Sequence, residues 1–455
     1  MYPAHVPRSA LARRLAVWAR FTLAGLALLG ASAASQAVSS FARQTGMACA
    51  ACHVGGFGPQ LTDFGIQFKV GGYTMARPDA PSVPLSGMVI VSGTRTAAAL
   101  PEPLPDHLRA NNNVKLDQAS LFLAGRLAES LGIFMQVTHD GIAHSNAIDE
   151  TELRYARKVN VGQHSATVGL SINNDPGMSD LFHGLPTWGF PFVSSAVAPG
   201  PTSTLLDGGL AHYVIGPTAF ALVDNQWYAA LGTYQTLSTA TQRRLGLDPA
   251  SSPGVLHGAS FGRLAVKDSW GDHSLAAGLV MLNTGLQPDR SLPLSNHVRD
   301  TGLDATYRWQ RDADHVFSLF GNFIHEAQQR TADLASGGAD QPAGHLNSSS
   351  VTASYALDQT WGFNLQRFAV YGSADATLYA DGFANGSPRT TGSRLQLDWT
   401  PYGKTAPKSG WDPSLRIGLQ YTAYDSFNGA RRNYDGNGRN AADNNSLYLF
   451  AWLMF

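Results

Sequence analysis

Two cysteines in 455 residues, both within one five-residue window, leave no material for a disulfide framework spread through a fold. Charge is scarce as well. Only 14% of the residues are Asp, Glu, Lys or Arg and the formal net charge is -1, so no basic face is on offer to nucleic acid. After residue 30 no apolar run approaches the roughly 20 residues that a spanning helix needs. If the mature chain enters a membrane it must do so as a closed β-barrel, because in hydrocarbon every backbone polar group has to be paired within the protein.

What is present begins with an export signal. Arg8, Arg13, Arg14 and Arg20 precede the apolar run Phe21 to Gly30, and the small residues Ser35 and Ala37 stand where a signal peptidase cuts. Residues 1–37 therefore read as a removed signal peptide. A membrane anchor is the competing reading, but an apolar core of about ten residues is too short for one. Cleavage removes four arginines and no acid, leaving 28 basic residues against 33 acidic.

Both cysteines fall in Cys49-Ala50-Ala51-Cys52-His53, a C-x-x-C-H run. In c-type haem attachment two thiols at this spacing add to the haem vinyl groups, and the following imidazole ligates iron. The same letters arise by chance or as a redox dithiol. Export favours haem, and a redox pair would be expected in a βαβ context that this segment lacks. Residues 38–80 are read as a short helical cytochrome segment holding one covalent haem c through Cys49, Cys52 and His53. The following Gly58-Pro59-Gln60-Leu61 resembles the G-P-x-L of small cytochromes c, and by that resemblance the Pro59 carbonyl would orient His53, with Leu61 beside the haem. Phe41, Phe57, Phe64 and Phe68, with Leu61, are candidates for an apolar haem wall or for plain core. Met47, Met75, Met88 or a downstream histidine is a candidate sixth ligand; Met75 is preferred, and an open position is the alternative.

From about residue 84 the helical period gives way to segments of alternating polarity. Leu303, Ala305, Tyr307 and Trp309 interleave with Asp304, Thr306, Arg308 and Gln310; Leu395, Leu397 and Trp399 with Arg394, Gln396 and Asp398; Leu415, Ile417, Leu419 and Tyr421 with Arg416, Gly418, Gln420 and Thr422. Sixteen such segments begin near Met88, Leu121, Phe134, Leu153, Val168, Val214, Trp227, Phe261, Leu275, Leu303, Phe317, Val351, Val370, Leu395, Leu415 and Leu447. Tight turns such as Glu129-Ser130, Asp224-Asn225, Gly271-Asp272 and Asp312-Ala313-Asp314 are interspersed with longer loops such as Asp175 to Gly209. The fold class expected for residues 81–455 is all-β, a transmembrane antiparallel barrel of about 16 strands. The final segment ends in Phe455, as barrel-assembly signals do, and Tyr448, Phe450 and Trp452 are expected in an aromatic girdle. A lumen of that size holds water or a plug, and a segment of about 40 residues is too small to fold alone, so the cytochrome segment is placed inside the barrel.

The run Phe41-Ala42-Arg43-Gln44-Thr45-Gly46, then C-x-x-C-H, Pro59, Leu61, Phe64-Gly65, Phe68-Lys69 and Gly72-Tyr73 resembles the fused monohaem cytochrome c-porin family, best known for outer-membrane iron(II)-oxidising cytochromes. The glycine-rich Val54 to Gly58 stretch departs from that pattern. The resemblance implies an outer-membrane electron-transfer protein, and an oxidoreductase if iron(II) is the donor. An external donor such as Fe(II) would reduce the haem and a periplasmic carrier such as a soluble cytochrome c would reoxidise it, with the cytochrome segment entering from the periplasmic side. Asp149, Glu150 and Glu152 with His144 form the densest group of hard ligands for such a donor, though a group of this kind is more often a solvated loop. The alternative function is a transport porin with a structural or ligand-sensing haem.

Overall fold

The computed structural model describes residues 38–455 except 59, 81–83, 102–103, 105–106, 183, 186–192, 381 and 407–412; the segment read as a signal peptide and Pro59 lie outside the described residues. Three short helices come first: α1 (Ser39–Thr45), α2 (Cys49–Cys52) and α3 (Asp63–Val70). The strands that follow are β1 (Leu85–Thr96), β2 (Asn113–Ala128), β3 (Leu131–Asp140), β4 (Ser145–Val161), β5 (His164–Asn173) and β6 (Val214–Val223). They continue as β7 (Trp227–Thr236), β8 (Val255–Trp270), β9 (His273–Gln287), β10 (Asn296–Gln310) and β11 (His315–Gln329). The last are β12 (Ala343–Leu357), β13 (Trp361–Gly372), β14 (Thr390–Trp399), β15 (Ser414–Ser426) and β16 (Ser446–Met454).

Among the described residues these sixteen strands close into one antiparallel barrel in which each pairs with its sequence neighbours and β1 pairs with β16, from Met88 opposite Met454 to Thr96 opposite Ser446. Gly87 and Phe455 exchange both backbone hydrogen bonds, 2.7 and 2.9 Å, and so extend that seam to the last residue. Closure leaves no unpaired strand edge. Each of the sixteen segment markers read from the sequence falls in a different strand, and the short turns join the strands at one end while most long connections gather at the other.

Alternation is inside-out relative to a soluble sheet. Leu303 is 60% exposed on the outer wall while its neighbour Asp304 is 9% exposed within; Leu395 and Gln396 repeat the contrast. Such a face is fit for lipid only if the barrel spans a bilayer. Trp227, Trp270, Trp309 and Trp361 are all exposed and all lie at strand ends beside the short turns, where an interfacial aromatic girdle belongs. Tyr448 and Phe450 do not join them. Period-two alternation turns both inward, fully buried, and Leu447 and Leu449 face out instead. Trp452 also packs inward, on Phe57 with ring centroids 4.8 Å apart. No helix among the described residues is long and apolar enough to cross a membrane.

The lumen is filled from both ends. The helical segment lies across the short-turn mouth: Ser40 Oγ donates to Ala124 O at 2.6 Å, Gln44 Oε1 accepts from Arg126 N at 2.8 Å, and Gly55 N donates to Gln359 Oε1 at 2.6 Å. Tyr73 OH donates to Glu152 of β4 at 2.5 Å, where Arg154 and Ser171 also converge. Gly132 has a structural reason here, since a Cβ on it would fall 2.0 Å from Gly72 O. From the other end the long β5–β6 loop folds inward. Its Asp180 O accepts from Lys69 Nζ at 2.9 Å, and its Asp180 carboxylate pairs with buried Arg263. Farther on, Gln420 donates to Val193 O and Tyr424 OH to Pro199 O, so the loop crosses the barrel to the opposite wall.

Candidate functional site

A single helical turn, α2, places Cys49 and Cys52 about one turn apart, and no disulfide joins them. His53 caps the helix: its φ of -124° leaves helical space, and its backbone N–H still donates to Cys49 O at 2.8 Å. The chain then doubles back. Val54 N donates to Gln60 O at 3.0 Å, Thr62 N to Cys52 O at 2.9 Å, and His53 bridges to Leu61. Thr62 caps α3 through Gly65 N, and the two helices touch because position 65 is glycine, where a Cβ would lie 2.3 Å from Cys52 O.

This hairpin leaves His53 half-buried, with its Nδ1 shut off from solvent. Among the described residues its Nδ1 has no hydrogen-bond partner, and a buried imidazole nitrogen left unpaired normally has a reason. Burial pushes the imidazole down to about 4, with the flanking backbone of Gly58 and Gln60 opposing the shift, and burial pushes the Cys52 thiol up to about 11. A neutral imidazole with an orphaned nitrogen beside two cysteines fits the donor set of a c-type haem. A small cleft opens next to it, lined by Val54, Gly55, Phe57 and Gln60 and by the β12–β15 wall.

The other residues singled out from sequence divide. Leu61 lies beside His53 and its carbonyl accepts from Arg308 Nη2 at 2.7 Å. Pro59 lies outside the described residues. Met75 is 37% exposed after α3, its carbonyl held by Gln44 Nε2 at 2.8 Å. Phe41, Phe57 and Phe68 share one cluster with Met88, Ile90, Phe122 and Phe450, so these rings join the plug to the barrel wall.

A second group of chemistry-bearing residues stands near the long-loop end. Asp149 and Glu150 of β4 converge with His212 of the β5–β6 loop; His212 Nε2 lies 2.9 Å from Asp149 Oδ1 and 3.5 Å from Glu150 Oε1. Burial opposes protonation there, yet hydrogen bonds to both carboxylates raise the imidazole to about 10. Asp175, at the start of the same loop, is raised to about 8 by burial and by Glu150. The grouping read from sequence is thereby corrected. His144 stacks on His107 at 4.1 Å, and Glu152 turns to Tyr73 and Arg154. His212 was not legible because a loop return about 60 residues later brings it back.

No protein-family model and no curated protein matches the chain. Among solved structures it is similar to a loop-deletion mutant of OmpT, an outer membrane protein of Vibrio cholerae, with 11% identity, TM-score 0.42, and coverage of 82% of this chain and 99% of that one. It is similar at 12% identity and TM-score 0.40 to an anion-selective porin from Comamonas acidovorans, covering 82% and 98%. OmpF of Salmonella typhi in complex with daunomycin gives 11%, 0.45, 82% and 97%.

Proposed function

We propose that this chain is an outer-membrane electron-transfer protein, in which a haem c held by Cys49, Cys52 and His53 accepts electrons from an extracellular donor, Fe(II) being the leading candidate, and passes them to a periplasmic carrier such as a soluble cytochrome c. The observation that carries the reading is the C-x-x-C-H hairpin seated half-buried inside a closed barrel, with the His53 Nδ1 orphaned among the described residues. When bound, the haem supplies a reversible one-electron couple. This chain's residues do the rest: the Gly65 contact fixes the hairpin, Leu61 backs His53, and by the G-P-x-L resemblance the Pro59 carbonyl would orient the imidazole. Met75 remains the proposed distal ligand, and its exposure means that the thioether would turn inward to ligate. Short turns mark the periplasmic end in such barrels, so the cytochrome segment sits at the periplasmic mouth.

The transport-porin reading is favoured by the barrel itself and opposed by what fills it, since plug and inward loop both cross the lumen. The test is a reduced-minus-oxidised spectrum of protein solubilised from outer membranes, followed by anaerobic Fe(II). Rapid reduction of a covalently held haem is the expected result. A haem that Fe(II) leaves oxidised redirects the donor assignment, and a protein without haem overturns the reading.

A further inference from the structure

We infer that Asp149, Glu150 and His212 form a binding site for a divalent transition-metal cation at the long-loop end of the lumen, with Asp175 beside Glu150. The three central ligand atoms all lie within 4.8 Å of one another. Ligands held about 2.0–2.2 Å from one ion stand about 3–4.2 Å apart, so the 2.9 and 3.5 Å separations already match a shared ion.

Successive strand residues normally face opposite sides, which would separate Asp149 from Glu150. Here the β3–β4 register slips: Met135 pairs with Thr151 but Val137 with Ile148, so two residues, Asp149 and Glu150, stand opposite Gln136 alone. That β-bulge sends both carboxylates to His212, the re-aiming for which bulges recur beside functional sites. Asn174 pins the arrangement, accepting from Thr151 N at 2.7 Å and donating to Asp149 O at 2.8 Å, while its own carbonyl accepts from His212 N at 3.0 Å. His212 sits at φ +71°, a left-handed conformation uncommon for a non-glycine residue. Thr138 donates to the other Asp149 oxygen at 2.7 Å, the outer support that a ligating carboxylate needs.

The decisive feature is Glu150. It is 6% exposed, and its Oε2 has no donor among the described residues. What faces this carboxylate is another, Asp175, itself buried, whose donor among the described residues is Gly177 N at 2.7 Å. A buried carboxylate oxygen that takes no donor among the described residues and faces a second carboxylate calls for a proton or a cation. Two carboxylates and one imidazole make the mixed oxygen–nitrogen set that suits Mn(II), Fe(II) or Zn(II) over Mg(II). Entry is open, because the Asp149 and His212 side chains keep 19% and 30% of their surface.

The site stands whatever the Cys49–His53 hairpin carries, and it is read without the haem. Full-length protein in detergent, stripped with a chelator, is titrated with Mn(II) while the free-ion EPR signal is followed. One equivalent should disappear from the free pool and return when Zn(II) competes. Glu150→Gln and His212→Ala, each checked for unchanged heat-modifiable migration, should each weaken that uptake at least tenfold. Absence of stoichiometric uptake, or an equivalent that both folded variants keep, would overturn the site.

Discussion

Gly56 and Gly403 meet backbone to backbone: a Cβ on Gly56 would lie 2.7 Å from Gly403 Cα and 2.7 Å from the Gln359 carbonyl oxygen. The contact joins the loop after His53 to the β14–β15 connection, and Ala50 N, donating to Gly403 O at 3.0 Å, and Thr400 Oγ1, donating to Gly55 O at 3.0 Å, lie on either side of it. Gly56 also has φ +68°, so any other residue adds backbone strain to the clash. The glycine-rich stretch that sets this chain apart from its family resemblance is thus where a barrel turn locks the plug. Gly56→Ala should weaken the docking by about 1–3 kcal/mol. Limited proteolysis of folded protein should then cut residues 38–80 far faster than in the wild type, and an unchanged cleavage rate would refute the lock.

Gly65 governs the hairpin rather than the docking. Gly65→Ala places a methyl against Cys52 O and should push α3 off α2, so that folded barrels carry less covalent haem. The measurement is the pyridine haemochrome per barrel, with heat-modifiable migration as the control for folding. Full haem loading would show that the hairpin tolerates the separation.

Buried charge anchors α3 and the turn after it. Glu152 and Arg154 are fully buried, 2.7 Å apart, and Tyr73 closes the network from the plug. Tyr73→Phe should cost about 1.5–3 kcal/mol, the range of a hydrogen bond to a charged group. Glu152→Ala should cost about 3–5 kcal/mol, because it leaves the Arg154 guanidinium buried without its countercharge. Urea midpoints of the refolded barrel check the order, and an unchanged midpoint for Tyr73→Phe would mean that Tyr73 contributes through packing alone.

Conductance separates conduit from channel. The wild-type barrel should show far smaller single-channel conductance in planar bilayers than an open sixteen-stranded porin, and deletion of residues 38–80 should raise it. A large wild-type conductance would favour the transport reading.

The sequence by itself determined the strand number, the turns and the location of the haem-type motif, because each is a local signal: period-two polarity, a turn dipeptide, five consecutive letters. It determined that Leu303 faces away from Asp304, since alternation needs no partner to be visible. Which rings make the girdle it could not settle, because Tyr448 and Phe450 turn inward only where a plug waits to cover them. The second site was closed to sequence reasoning for the same kind of reason. A one-residue slip against Gln136 puts Asp149 and Glu150 on one face, and a long loop folded into the lumen returns His212 to them. Register and loop path are decided by packing between segments far apart in the chain, so only the tertiary structure could bring those three side chains together.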